Sequence, residues 1–117
     1  MDADRRKFLR FSTPLMAQAI RENRDCLWGL VKDFSRKGLR VIFDEFDFVP
    51  NSFVNLEIQM PNENVYIPAS VEVIWKRFTD GKWEAGLSLK EFPAHAKAEI
   101  LEHGYNKWVE EKAAAKA

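Results

Sequence analysis

Between Val54 and Met60 every second residue is apolar: Val54, Leu56, Ile58 and Met60 alternate with Asn55, Glu57 and Gln59. A period of two places one side chain set on a buried face and the other in water, so this stretch reads as a half-buried strand. Pro61-Asn62-Glu63-Asn64 turns the chain. Val65, Ile67, Ala69, Val71, Val73 and Trp75 then share the next buried face, with Pro68 implying a bulge or an edge position. Asp80-Gly81 is a hairpin turn leading into Trp83, Ala85, Leu87 and Leu89. Earlier, Leu15 to Arg21 and Cys26 to Lys32 are strand candidates around a Glu22–Asp25 turn, and Leu39, Val41 and Phe43 alternate after Gly38. The expected fold is mainly β, a small antiparallel barrel or sandwich of six to seven strands. After Pro93 the period changes. Ala96, Ile100, Leu101, Tyr105, Trp108 and Val109 form one stripe of an amphipathic helix, expected to pack on the barrel or across its mouth, with a fraying Ala-rich end.

Composition supports one water-facing domain. At 117 residues, 46% hydrophobic and 31% charged, the chain is long enough to bury a substantial core. No apolar run reaches membrane-spanning length, and the arginine-rich start lacks the apolar segment of a signal peptide, so a cytoplasmic location is expected. The single cysteine, Cys26, excludes an internal disulfide. The net charge of zero hides an asymmetry: residues 1–40 carry ten Lys/Arg against five Asp/Glu. That dipole suits a small anion at the N-terminal third better than long nucleic acid, which calls for a strongly basic domain.

Catalytic signatures are lacking. His95 and His103 lie eight apart with no partner at metal-ligand spacing, and there is no nucleophile elbow, phosphate loop or dinucleotide fingerprint. The chain is therefore read as a non-enzyme without a metal. Most of the four Trp and nine Phe are assigned to core packing rather than base stacking, with Phe34 pointing into the barrel. Phe46, Phe48 and Phe53, alternating with acids in the Asp44–Phe53 loop, are the aromatics assigned to a partner-facing role.

Two short patterns carry the candidate chemistry. Asp33-Phe34-Ser35-Arg36-Lys37-Gly38 has the form D-x-S-x-x-G. Its carboxylate offers two acceptors suited to the N–H edge of guanine, its hydroxyl donates or accepts, and its glycine permits positive φ or close backbone approach. The same residues also make an ordinary turn, and both readings stand at this level. Upstream, Arg6 and Arg10 form R-x-x-x-R and face one way in either helix or strand, as cations able to grip phosphate or read guanine.

Taken in this order, R-x-x-x-R followed by D-x-S-x-x-G resembles the PilZ domain, a bacterial receptor for the second messenger cyclic di-GMP. Leu39-Arg40-Val41, Ala69-Ser70-Val71-Glu72-Val73-Ile74-Trp75 and Gly86-Leu87-Ser88-Leu89 resemble further strands of that family, with Leu89 where an aromatic is commoner. The resemblance implies an arm (1–14) carrying the arginines, a PilZ-like barrel (15–92) and a C-terminal helix (93–117). It implies a ligand, cyclic di-GMP, held by Arg6, Arg10, Asp33, Ser35 and Gly38, with Arg5 available to a second stacked ligand. Binding would order the arm and signal to a downstream effector protein. The alternatives are a PilZ-like protein-interaction module that binds no nucleotide, and a single-strand-binding barrel.

Overall fold

The computed structural model describes residues 9–61 and 63–116, with the backbone alone for 9–14, 111 and 114–116. Six strands, β1 (Leu9–Ile20), β2 (Cys26–Phe34), β3 (Gly38–Phe43), β4 (Phe53–Gln59), β5 (Tyr66–Thr79) and β6 (Lys82–Glu91), precede one helix, α1 (Ala94–Lys116). All strand pairings are antiparallel, and the order β1-β2-β3-β6-β5-β4 closes into a barrel through the β1–β4 pair. Closure leaves no free sheet edge, so every strand needs one apolar face turned to the interior. The expected alternation supplies it: Ala17, Ala19, Val31, Val41, Leu56, Ile58, Val71, Val73 and Ala85 are fully buried.

The short turns follow local chemistry. Asp80 and Gly81 adopt φ of 55° and 78° between β5 and β6, as a two-residue primed hairpin turn requires. Arg24 takes φ of 69° in the β1–β2 turn, which Asn23 and Asp25 brace by side-chain and backbone hydrogen bonds.

The two barrel mouths are closed differently. At one, the Asp44–Ser52 loop folds inward. Phe46 is buried and stacks on Phe43 at 4.7 Å, while the loop acids turn outward to Arg21 and Lys82. The partner-facing reading of Phe46 is thus corrected: in an alternating Phe/acid loop over an open mouth, the aromatic is the plug. Phe48 is half-buried beside it, and Phe53 is 67% exposed. At the other mouth, Phe34 and Phe92 meet at 6.4 Å, and Ala96 and Ile100 of α1 complete the core. Only the first half of the expected helical stripe packs this way, since Tyr105 and Val109 are exposed.

Three further expectations need correction. β1 begins at Leu9 rather than Leu15, with a register shift between Arg10 and Leu15 around Pro14. Pro68 makes no bulge; it lies exposed in β5 opposite Glu57. Trp75 and Val65 do not share the buried face of Val71 and Val73: they are 39% and 46% exposed. For Trp75 the reason is a bulge. From Val73 to Trp75 the chain advances two residues while β6 advances one, from Leu87 to Gly86, so Ile74 is extra and the in/out phase reverses.

Candidate functional site

The same device operates in β2. Val31 pairs with Val41 and Asp33 with Arg40, so Lys32 is the extra residue. Strict alternation from buried Val31 would turn Asp33 inward. The bulge turns it outward instead and sends Phe34, fully buried, into the core. Two phase reversals therefore bring Asp33 and Trp75 to the outer face of the β2-β3-β6-β5 surface.

Between them lies a groove of about 420 Å³ bounded by Asp33, Lys37, Gly38, Arg40, Trp75 and Ser88 among others. A second depression of about 410 Å³ adjoins it, lined by Asp33, Arg40, Trp75, Arg77 and Glu84. Gly86 forms part of the groove lining. A Cβ on Gly86 would run into the Trp75 indole, so the ring lies against bare backbone, with the Arg77 guanidinium 5.5 Å from its centroid. Half-exposed, the indole offers an aromatic face of the kind on which a base stacks.

Asp33 is held on one side of this groove. Arg40 Nε donates to its Oδ2 at 2.6 Å, and Arg40 Nη1 donates to Glu84 Oε2. Arg77 Nε donates to Glu84 Oε1 at 2.6 Å, so both Glu84 oxygens face arginines. Glu84 has only 8% of its side chain exposed. Burial pushes its carboxyl up, but the hydrogen bonds and charges of Arg77 and Arg40 outweigh that and hold it below the ordinary glutamate value. The Arg40 guanidinium is correspondingly raised, first by its hydrogen bond to Asp33, against desolvation.

The remaining hexad residues build the loop. The Ser35 hydroxyl is buried, donates to the Gly38 carbonyl at 3.2 Å and accepts from the Lys37 and Gly38 amides at 3.2 and 3.1 Å. The Ser35 amide also donates to the Gly38 carbonyl at 2.8 Å. This hydroxyl is fully engaged in shaping the turn. Gly38 has no positive φ; it is needed because a Cβ there would strike the Leu87 carbonyl oxygen across the β3–β6 ladder. The Leu89 amide donates to the Lys37 carbonyl at 2.8 Å, tying the loop to β6.

Of the candidate arginines, Arg10 is placed directly opposite Asp33 in the β1–β2 ladder, as Leu9 is opposite Phe34. Arg5 and Arg6 lie outside the described residues. The structure thus brings Arg10, Asp33, Ser35 and Gly38 into one corner of the barrel. Sequence reasoning missed Arg40, Trp75, Arg77 and Glu84. For Arg40 the strand alternation after Gly38 was a usable signal; for Trp75 the bulge concealed it. Among the described residues no group of His, Cys, Asp and Glu has metal-ligand spacing, and no helix is long and apolar enough to cross a membrane.

Several solved structures share this fold. The inhibitor of motility MotI/DgrA of Bacillus subtilis superposes with a TM-score of 0.72 at 21% identity, over 91% of this chain and 52% of that one. The PilZ domain of YcgR from Escherichia coli, solved with c-di-GMP, gives 0.69 at 13% identity, covering 93% of this chain and 94% of that one. MrkH of K. pneumonia in its apo state gives 0.69 at 16% identity, over 90% and 51%. The chain spans about half the length of MotI and of MrkH. No curated protein matches it in sequence. The PilZ domain model, however, matches residues 4–105, which takes in both arginine and hexad patterns, all six strands and the packed start of the helix, and the chain belongs to the PilZ domain family.

Proposed function

We propose that this protein is a cytoplasmic cyclic di-GMP receptor that turns over nothing and acts by presenting an altered surface to an effector protein. The ligand lies on the outer face of the barrel. Asp33 accepts from the N–H edge of a guanine, the Trp75 indole, seated on Gly86, offers a stacking face, and Gly38 borders the groove where β3 lies close against β6. Arg10, and Arg5 and Arg6 from the preceding segment, supply the cations for the phosphates and for the outer edge of the base. Ser35 serves by shaping the loop. The observation that carries this reading is the register that sets Arg10 across from Asp33, joining the two halves of the pattern beside a groove. The known ligand of the YcgR domain supports the choice of dinucleotide.

Titration calorimetry with cyclic di-GMP, GTP and an oligonucleotide side by side tests it. Preference for the cyclic dinucleotide is expected, with stoichiometry showing whether Arg5 recruits a second molecule. Losing one charge-assisted contact costs about 1.5–3 kcal/mol, or roughly 10- to 150-fold in affinity. Arg6→Ala, Arg10→Ala and Asp33→Ala should each fall in that range with native circular dichroism. Wild-type affinity in all three would remove the pocket assignment and leave the interaction-module reading.

A further inference from the structure

Arg40 is two residues past Gly38, outside both sequence patterns, yet it stands at the centre of the site. Its ladder partners are Asp33 on β2 and Gly86 on β6, and it borders both depressions of the groove. Nε is given to Asp33 and Nη1 to Glu84, which leaves Nη2 without a partner among the described residues. Resting on the cyclic di-GMP reading above, we propose that Arg40 is a specificity-determining residue: with Asp33 it reads the pairing edge of a guanine and rejects adenine.

Donor and acceptor patterns carry the argument. The pairing edge of guanine presents two donors, N2–H and N1–H, followed by one acceptor, O6. A carboxylate satisfies the two donors, and a guanidinium bonded to that carboxylate continues the row with a donor for O6. Adenine offers the reverse at both positions: an unprotonated N1 faces the carboxylate, and an N6 amino group faces the guanidinium. Each mismatch leaves a polar group unpaired, which is how sites built around hydrogen bonds discriminate strongly.

Such a reader works only if it is fixed beforehand, and Glu84 fixes it. A buried ion pair generally contributes less stability than well-packed apolar residues of similar volume, so its physical product is orientation. Here Glu84 holds Arg40 from one side and Asp33 from the other, while Arg77 takes the second Glu84 oxygen. The rotamer freedom of Arg40 is thereby surrendered on folding instead of on binding.

The test measures affinities of the wild-type chain and two variants for cyclic di-GMP and cyclic di-AMP. Arg40→Lys keeps the charge but loses the fork. The double variant Arg40→Gln/Glu84→Gln replaces the Arg40–Glu84 ion pair by neutral amides, so the buried Glu84 charge is not left without Arg40. The expected result is a loss of about 10- to 100-fold for cyclic di-GMP with little change for cyclic di-AMP, so that the ratio collapses. Equal losses for both ligands, or none for either, would mean that Arg40 only supports the fold, and the proposal fails while the receptor reading stands. A wild-type chain that ignores cyclic di-GMP overturns both. One measurement needs no variant: replacing O6 by sulfur in 6-thioguanine cyclic dinucleotide weakens the acceptor Arg40 reads. Wild-type affinity for that analogue should drop about 10-fold, and an unchanged affinity overturns the assignment.

Discussion

Arg10 and Asp33 are direct partners across the β1–β2 ladder, although 23 residues separate them in the chain. Residues at one ladder position, proposed to hold one ligand, should not act independently. A double-mutant cycle with Arg10→Ala and Asp33→Asn, read by cyclic di-GMP affinity, is therefore expected to show a coupling above about 0.5 kcal/mol. Simple additivity would place the two side chains on separate contacts.

Gly38 and Gly81 should fail for different reasons. Gly38→Ala drives a methyl group into the Leu87 carbonyl between two ladder strands, where neither backbone yields easily. Overpacking of this kind costs about 1–3 kcal/mol, and the shift of β3 should also weaken ligand binding. Gly81→Ala meets no neighbour but keeps φ at 78°, a strain of about 1–2 kcal/mol for an L residue. Urea denaturation paired with calorimetry separates them: only the first should alter affinity.

Ser35→Ala removes the donor and both acceptor roles of a buried hydroxyl and leaves the Lys37 and Gly38 amides short of a partner. A loss of about 1–3 kcal/mol in urea is expected, and Ser35→Thr, which keeps the hydroxyl, should recover part of it. A stability equal to wild type with lost affinity would instead make Ser35 a ligand contact alone.

The mouth plug gives a sharp contrast. Phe46→Ala opens a cavity against Phe43 and should cost about 3–5 kcal/mol. Phe53→Ala, at a side chain two-thirds exposed, should stay within about 0.5 kcal/mol of wild type. Thermal melts of the two variants decide whether the loop seals the barrel.

Glu84 makes stability depend on pH. Its carboxyl is depressed in the folded chain, because Arg77 and Arg40 favour the charged form more than burial opposes it. The stabilisation is therefore present above the unfolded glutamate value of about 4.3 and is lost as pH falls through the lower folded value. Urea midpoints between pH 7 and pH 3 should fall more steeply for wild type than for Glu84→Gln. Parallel profiles would show that the pair contributes nothing to folding.

Alternation along the chain by itself determined the antiparallel strands, with barrel and sandwich both open. Val54 to Met60 and Leu39 to Phe43 satisfy a period of two, Asp80-Gly81 can turn in only a few ways, and the change of period after Pro93 marks the helix. The two polar patterns were equally local, and so was their order. What the tertiary structure decided is which face each residue presents. One extra residue at Lys32 and another at Ile74 reverse the phase of their strands and bring Asp33 and Trp75 to the same outer surface. In β2 the bulge shows only as Phe34 falling out of step with Val31, and in β5 the apolar Ile74 and Trp75 side by side mask it, because a bulge depends on the count of residues in the neighbouring strand. The Asp33–Arg40–Glu84–Arg77 chain likewise joins four strands, and Phe46 plugs a mouth that exists only once the barrel has closed. Contacts between distant strands are set by closure, and closure is a property of the whole sheet.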